Sequence, residues 1–117
     1  MTILLAEDEE FNRLYISELF AKTKYQLIEA TNGEEAVAMV KKKENIDVVL
    51  MDINMPLING YECTRRIKAE RPDLPVIAQT AYAMSGEREI SRKAGCDDYL
   101  SKPIKVSELL DTLSRYI

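Results

Sequence analysis

The residues in this sequence that could do chemistry stand at the ends of short apolar runs. Glu7 and Asp8 close Thr2-Ile3-Leu4-Leu5-Ala6, and Asp52 closes Val48-Val49-Leu50-Met51. Thr80 ends Val76-Ile77-Ala78-Gln79-Thr80, and Lys102 ends Asp98-Tyr99-Leu100-Ser101-Lys102. The run before Asp52 is too short for a helix and rich in β-branched Val, so it reads as a strand buried on both faces. An acid at the mouth of such a strand must be paired, bound to a cation or used chemically, because burial makes its ionisation costly. Three acids in one crevice raise one another's pKa values unless a cation sits among them. All-oxygen ligation without His or Cys selects a hard ion, and Mg²⁺ is the one expected. A carboxylate poised in this way, Asp52, can attack phosphorus and become an aspartyl phosphate. The transfer then needs donors on the phosphoryl oxygens. Lys102 offers an ammonium, Thr80 a hydroxyl, and the backbone N–H groups after Asp52 the rest.

The elements that must position these residues alternate. Between the first strand and an edge strand at Tyr25–Ala30, a helix is expected from about Glu9 to Thr23, with Tyr15, Ile16, Leu19 and Phe20 on one face. A second helix starts at Thr31-Asn32-Gly33, buries Ala36, Val37 and Val40, and ends on Lys41-Lys42-Lys43, which suit a helix C-terminus better than a binding patch. After the central strand, Asn59 caps a third helix with Gly60, Cys63, Thr64 and Ile67 inward, ending before Pro72. The fourth helix, about Ser85 to Ala94, has a thin apolar stripe of Ile90 and Ala94, with Gly95 as its C-terminal cap. Such a helix is weakly anchored and free to shift. The fifth strand stops at Pro103. The fifth helix carries Val106, Leu109, Leu110, Leu113 and Ile117 on its core face.

Five strand–helix alternations predict an α/β, doubly wound, flavodoxin-like domain with a parallel sheet and helices on both faces. With strand order 2-1-3-4-5, the order reverses between strands one and three, where the acids converge and where ligands bind in such sheets. Taken singly, Thr80 reads equally well as a strand-end cap, Tyr99 as a core aromatic, and Asn54 and Tyr82 as loop residues. Joint placement on four strand ends carries the functional reading.

The rest of the composition narrows the field. The 117 residues predict one domain, residues 1–117, and 46% hydrophobic with 31% charged residues is an ordinary globular balance. A net charge of −4 argues against a nucleic-acid surface. No apolar run approaches a membrane span and no signal peptide is evident, so a cytoplasmic domain without membrane contact is expected. The chain has no histidine, which excludes a His base or ligand and assigns any phosphohistidine to another molecule. Cys63 and Cys96 lack metal or redox spacing and read as reduced thiols.

Leu4-Leu5-Ala6-Glu7-Asp8, Val49 to Pro56, Gly60, Thr80-Ala81-Tyr82-Ala83 and Asp98 to Pro103 together resemble the response-regulator receiver domain of two-component phosphorelays, nearly end to end. The wording Thr80 to Met84, with Asp97 to Ile104, most resembles receivers of hybrid sensor histidine kinases. The resemblance implies that Asp52 accepts a phosphoryl group from a histidine kinase or a histidine phosphotransfer protein. It implies Mg²⁺ held by Glu7, Asp8, Asp52 and the Asn54 carbonyl, and a cis Lys102–Pro103 bond. Thr80 and Tyr99 would carry a switch to a partner face formed by helix four, strand five and helix five. Glu7 stands where many members have Asp, and its longer arm suits a water-bridged hold on the metal. Gln79, just before the switch Thr, is more polar than the pattern leads one to expect.

Two rivals remain. A haloacid-dehalogenase-like phosphohydrolase also sets its nucleophile at a strand end, but with a second acid two residues on. Here Asp52-Ile53-Asn54 puts an amide at that place, which cannot donate the required proton. A phosphorylation-dead docking module is the other, and the complete set of acids, Thr80 and Lys102 speaks against it. The domain is therefore expected to be a phospho-acceptor and not a conventional enzyme.

Overall fold

The computed structural model describes residues 1–42, 45–81 and 86–117. Five strands and five helices alternate: β1 Thr2–Ala6, α1 Glu10–Phe20, β2 Gln26–Ala30, α2 Gly33–Lys42, β3 Ile46–Asp52, α3 Gly60–Glu70, β4 Val76–Thr80, α4 Glu87–Ala94, β5 Asp98–Ser101 and α5 Val106–Ser114. The strands form one parallel sheet in the order β2-β1-β3-β4-β5, as expected.

Alternation along the strands divides the core into two layers, because successive side chains leave opposite faces of a pleated sheet. Leu4, Ala6, Val49, Met51 and Ala78 pack with Val37, Val40, Cys63 and Ile67 of α2 and α3. Ile3, Leu5, Val48, Leu50 and Ile77 pack with Ile16 and Phe20 of α1 and with Leu109 and Leu113 of α5. The pairing is in step at the carboxyl ends: Ala6 faces Met51, Asp52 faces Gln79, and Thr80 faces Ser101. All the chemistry-bearing ends therefore reach the same rim, beside the reversal between β1 and β3.

Several expectations need correction. Helix α1 is shorter than expected, ending at Phe20, where both the backbone N–H and the hydroxyl of Thr23 donate to the Phe20 carbonyl. Tyr15 is not a core residue. It is 39% exposed, and its hydroxyl donates to the Ile104 carbonyl. Ile90 is not an anchor of α4: it is 49% exposed, whereas Ser91 and Ala94 are buried. The inward stripe runs Glu87, Ser91, Ala94, spaced i, i+4, i+7, and position 90 lies about 65° to one side of its centre, on an edge that faces solvent. Val106 lies on the solvent side of α5, and Thr112 joins Leu109 and Leu113 inside. Lys102 falls one residue beyond β5. The expected start of α4 at Ser85, the last of the three lysines, Lys43, and Tyr82 lie outside the described residues. Cys63 and Cys96 are buried free thiols, and burial pushes Cys63 up to about 12.

Candidate functional site

Asp52 is held from behind by a close backbone contact. Gly60, the first residue of α3, donates its N–H to the Ile53 carbonyl, and a Cβ there would lie 2.4 Å from the Asp52 carbonyl oxygen. Only glycine fits. The Asn59 side chain accepts from the Glu62 N–H and starts α3 at this point. The strand end and the helix start are thereby fixed together, and Asp52 projects from a rigid rim with 2% exposure.

Around it, Glu7, Asp8 and Asp52 bring carboxylate oxygens within 4.8 Å of one another. Glu7 is buried and Asp8 is exposed. The Lys102 ammonium bridges the two buried acids, 3.0 Å from Glu7 Oε1 and 3.1 Å from Asp52 Oδ1. Its backbone is placed by an N–H donated to the Thr80 carbonyl at 2.8 Å, ahead of a cis Lys102–Pro103 bond. The Asn54 N–H donates to Asp52 Oδ1 at 3.2 Å. Arg13 of α1 donates to the Glu7 carbonyl at 2.9 Å and holds that turn in place.

One ammonium does not balance three carboxylates. Burial, then the hydrogen bond and charge of Asp52, push Glu7 up to about 7 against the downward pull of Lys102. Burial lowers Lys102, but Asp52 and Glu7 outweigh it, and its net shift is upward. This is a site short of positive charge, with three oxygen donors converging, and a divalent hard cation fits it. Glu7, Asp8 and Asp52 are the side chains that would hold one. No other group of three or more potential ligands lies this close among the described residues.

The remaining expected residues are distributed as follows. Thr80 is fully buried at the end of β4, one strand over from Asp52. Tyr99 is half-buried on β5, with the Arg88 guanidinium 5.4 Å from its ring centre. The Asn54 side chain is exposed. Three features were not foreseen. Gln79 is paired in register with Asp52, is 1% exposed, and its Nε2 has no hydrogen-bond partner. Its polarity within a buried strand was the available signal. Tyr61 of α3 donates to Glu87 of α4, a contact between distant residues that no local pattern announces. Arg13 looked like an ordinary solvent-facing helix residue.

A doubly wound domain with converging acids and a lysine at the switch point defines a class of phosphate-accepting α/β proteins. Residues 3–114 match the response regulator receiver domain, and the chain belongs to that family. The polar-differentiation response regulator DivK of Brucella anthropi is 36% identical over 118 residues, covering 99% of this chain and 95% of that protein. Among solved structures, the receiver domain of the Pseudomonas aeruginosa sensor histidine kinase PA1611, with magnesium coordinated in its active-site cleft, superposes with a TM-score of 0.90. It is 37% identical and covers 98% of this chain and 95% of that one. The Vibrio cholerae chemotaxis protein CheY4 gives 0.90 at 25% identity, covering 99% and 98%. The chain is thus a receiver-domain phospho-switch, a phosphoacceptor signalling domain and not a conventional enzyme. Its acidic cluster is consistent with a Mg²⁺-binding phosphoacceptor site. No helix among the described residues is long and apolar enough to cross a membrane.

Proposed function

We propose that Asp52 is the phosphoacceptor, receiving its phosphoryl group from the phosphohistidine of a histidine kinase or a histidine phosphotransfer protein. The observation that carries this is the buried Asp52 carboxylate, pinned by Gly60 packing, with Lys102 and the Asn54 N–H on its Oδ1. A carboxylate oxygen of Asp52 attacks phosphorus, the donor's N–P bond breaks, and the imidazole leaves with the N–P electron pair. Glu7, Asp8, Asp52 and the Asn54 carbonyl would hold a Mg²⁺, which would supply charge neutralisation to the phosphoryl oxygens. Lys102, already within 3.1 Å of Asp52 Oδ1, pairs with the phosphoryl group once it is in place. Phe11 and Leu14 on α1 and Leu57 after β3 are exposed apolar side chains available to the donor.

Thr80 and Tyr99 then carry the switch. The Thr80 hydroxyl turns toward the new phosphoryl oxygen, and the space it leaves beside β5 lets half-buried Tyr99 move inward. The phosphoryl group stabilises one of two pre-existing arrangements of the α4–β5–α5 face, where a downstream partner would read it. The wording at Thr80–Met84 supports a receiver from a hybrid kinase. The near full-length match to DivK supports a free-standing regulator instead. The coding sequence on either side separates the two.

The test is incubation with acetyl phosphate and Mg²⁺, read by intact mass. One phosphoryl group should be gained, only with Mg²⁺, and Asp52→Asn should abolish the gain while leaving the fold intact. Equal modification of the variant would move the acceptor elsewhere.

A further inference from the structure

Strand alternation puts Asp52 on the same face as Val48 and Leu50, and Gln79 on the same face as Ile77, both toward α1 and α5. The two are register partners on adjacent strands, about 4.8 Å apart across the sheet. The Gln79 carbonyl accepts from the Ile53 N–H at 3.1 Å, so its backbone is tied to the residue after the acid. Lys102 follows β5 and must cross β4 to bring its ammonium to Asp52 and Glu7. Leu100 is the register partner of Gln79, and Lys102 lies two residues further on the same face. The Lys102 stem therefore passes over Gln79. The two side chains line one cavity, with Tyr15 and Ile104 among its walls.

Gln79 Nε2 is sealed from solvent and has no hydrogen-bond partner. A buried donor left unmade is costly, so native proteins rarely keep one without a use. Sealed in this way, it cannot be served by a molecule from outside. Its partner must come from this chain, in another arrangement of its side chains. Asp52 is the acid next to it, but Oδ1 is already occupied by the Lys102 ammonium at 3.1 Å and the Asn54 N–H at 3.2 Å. Phosphotransfer changes that arrangement, because Lys102 turns to the phosphoryl group and the buried oxygen it held loses a donor.

We infer that Gln79 is a positioning residue for phosphotransfer, whose Nε2 donates to the Asp52 oxygen that Lys102 vacates. The inference rests on Asp52 as the phosphoacceptor. One Asp52 oxygen bonds phosphorus while the bond from phosphorus to the donor breaks, and the leaving group departs with that electron pair. The other oxygen becomes the acyl oxygen, and Nε2 holds it in place while Lys102 serves the phosphoryl oxygens. The unmet donor destabilises the resting arrangement and is relieved in the phosphorylated one, so Gln79 favours the second of the two.

The test compares the parent with Gln79→Met, which keeps the length and removes the donor. With acetyl phosphate and Mg²⁺, read by intact mass, the variant should gain its phosphoryl group about tenfold more slowly, the loss expected for one hydrogen bond to a charged acceptor. In urea, without metal or phosphodonor, the variant should be at least as stable as the parent, because the unmet donor is gone. A side chain that only packs would lose stability together with rate. In ¹⁵N-labelled parent, the Gln79 side-chain NH₂ signals should move further with beryllofluoride and Mg²⁺ than with Mg²⁺ alone. A parent that gains no phosphoryl group overturns Asp52 as the acceptor and this inference with it. If the parent is modified and Gln79→Met keeps pace with it, the inference alone falls. It falls equally if bound beryllofluoride leaves the NH₂ signals where Mg²⁺ puts them, or if the variant loses stability in step with rate.

Discussion

Helices α3 and α4 follow neighbouring strands and are built to opposite standards. Helix α3 has 11 residues, a side-chain N-cap at Asn59, and Gly60, Cys63, Thr64 and Ile67 buried. Helix α4 has 8 residues, begins on Gly86 with no side-chain cap, and buries Ser91 and Ala94. Burying one Ile side chain stabilises by about 1.5–3 kcal/mol, far more than a lone Ala can provide. The firm helix is attached to Asp52, and the loose one follows Thr80. In-line transfer tolerates little displacement of the attacking carboxylate, whereas a signal needs an element that shifts at low cost. Under the proposed function, this contrast suits α3 to holding the acceptor and α4 to passing on the signal.

The largest effect expected from breaking this contrast is at the two glycines that start the helices. Gly60→Ala drives a Cβ to 2.4 Å from the Asp52 carbonyl oxygen and 2.6 Å from the Ile53 Cα, both backbone atoms that cannot rotate away. We expect a loss of about 3 kcal/mol or more in urea unfolding. At Gly86, φ is 100° and a Cβ would meet nothing within 4 Å. Gly86→Ala should cost only the left-handed backbone term, about 1 kcal/mol. Equal losses would mean that α4 is held as tightly as α3.

Next comes pH. Glu7 is raised from 4.5 to about 7 in the folded, metal-free protein, chiefly by burial. Its contribution to stability is intact below pH 4.5 and is lost as pH rises through about 7. The whole shift corresponds to at most about 3 kcal/mol. Melting temperatures of metal-free protein should therefore show a falling component across that window, and Glu7→Gln should remove it. A bound cation needs the ionised carboxylate, so stabilisation by Mg²⁺ should grow over the same range. A Mg²⁺ effect independent of pH would separate Glu7 from the metal.

These two regions were also unequally legible in the sequence. The β3–α3 side was readable because its signals are local: a β-branched run ending on Asp52, an Asn59 cap and a helical stripe. The strand order followed from alternation. Helix α4 was misread at Ile90 because its inner face is made of Glu87, Ser91 and Ala94, and hydrophobic periodicity is blind to a stripe that contains a Glu and a Ser. Tyr15 was misread for a related reason, since its ring contributes a wall while its hydroxyl serves Ile104, 89 residues away. The paired Glu7–Lys102–Asp52 geometry was foreseen only as convergence. Its bridging ammonium depends on a backbone bond from Lys102 to Thr80, which no local pattern states.

A smaller effect tests the link between the two helices. Burial, then Glu87, push Tyr61 up to about 12, so it stays a protonated donor to Glu87 at neutral pH. Tyr61→Phe removes that tether and keeps the ring. The expected cost is about 1 kcal/mol, with amide exchange accelerated in α4 and unchanged in α3. Acceleration spread evenly over both helices would show that they open as one unit, and the division of labour would fail.

The smallest effect is expected at Ile90, and its smallness is informative. Ile90 is the one large apolar side chain on α4, and a helix held by it would lose about 1–3 kcal/mol on its replacement by Ser. Because it is 49% exposed and lies to one side of the Ser91–Ala94 face, Ile90→Ser should change unfolding free energy by no more than about 0.5 kcal/mol. Chemical denaturation of the variant beside Ala94→Asp makes the measurement self-calibrating, since Ala94 is buried and an unpaired charge there must be costly. A neutral Ile90→Ser means that an exposed isoleucine is kept on the helix expected to signal, and such a residue is suited to a partner and not to the core. A loss near the upper figure would mean that α4 rests on Ile90 after all, and the loose helix would then be anchored by the residue a transmission surface most needs free.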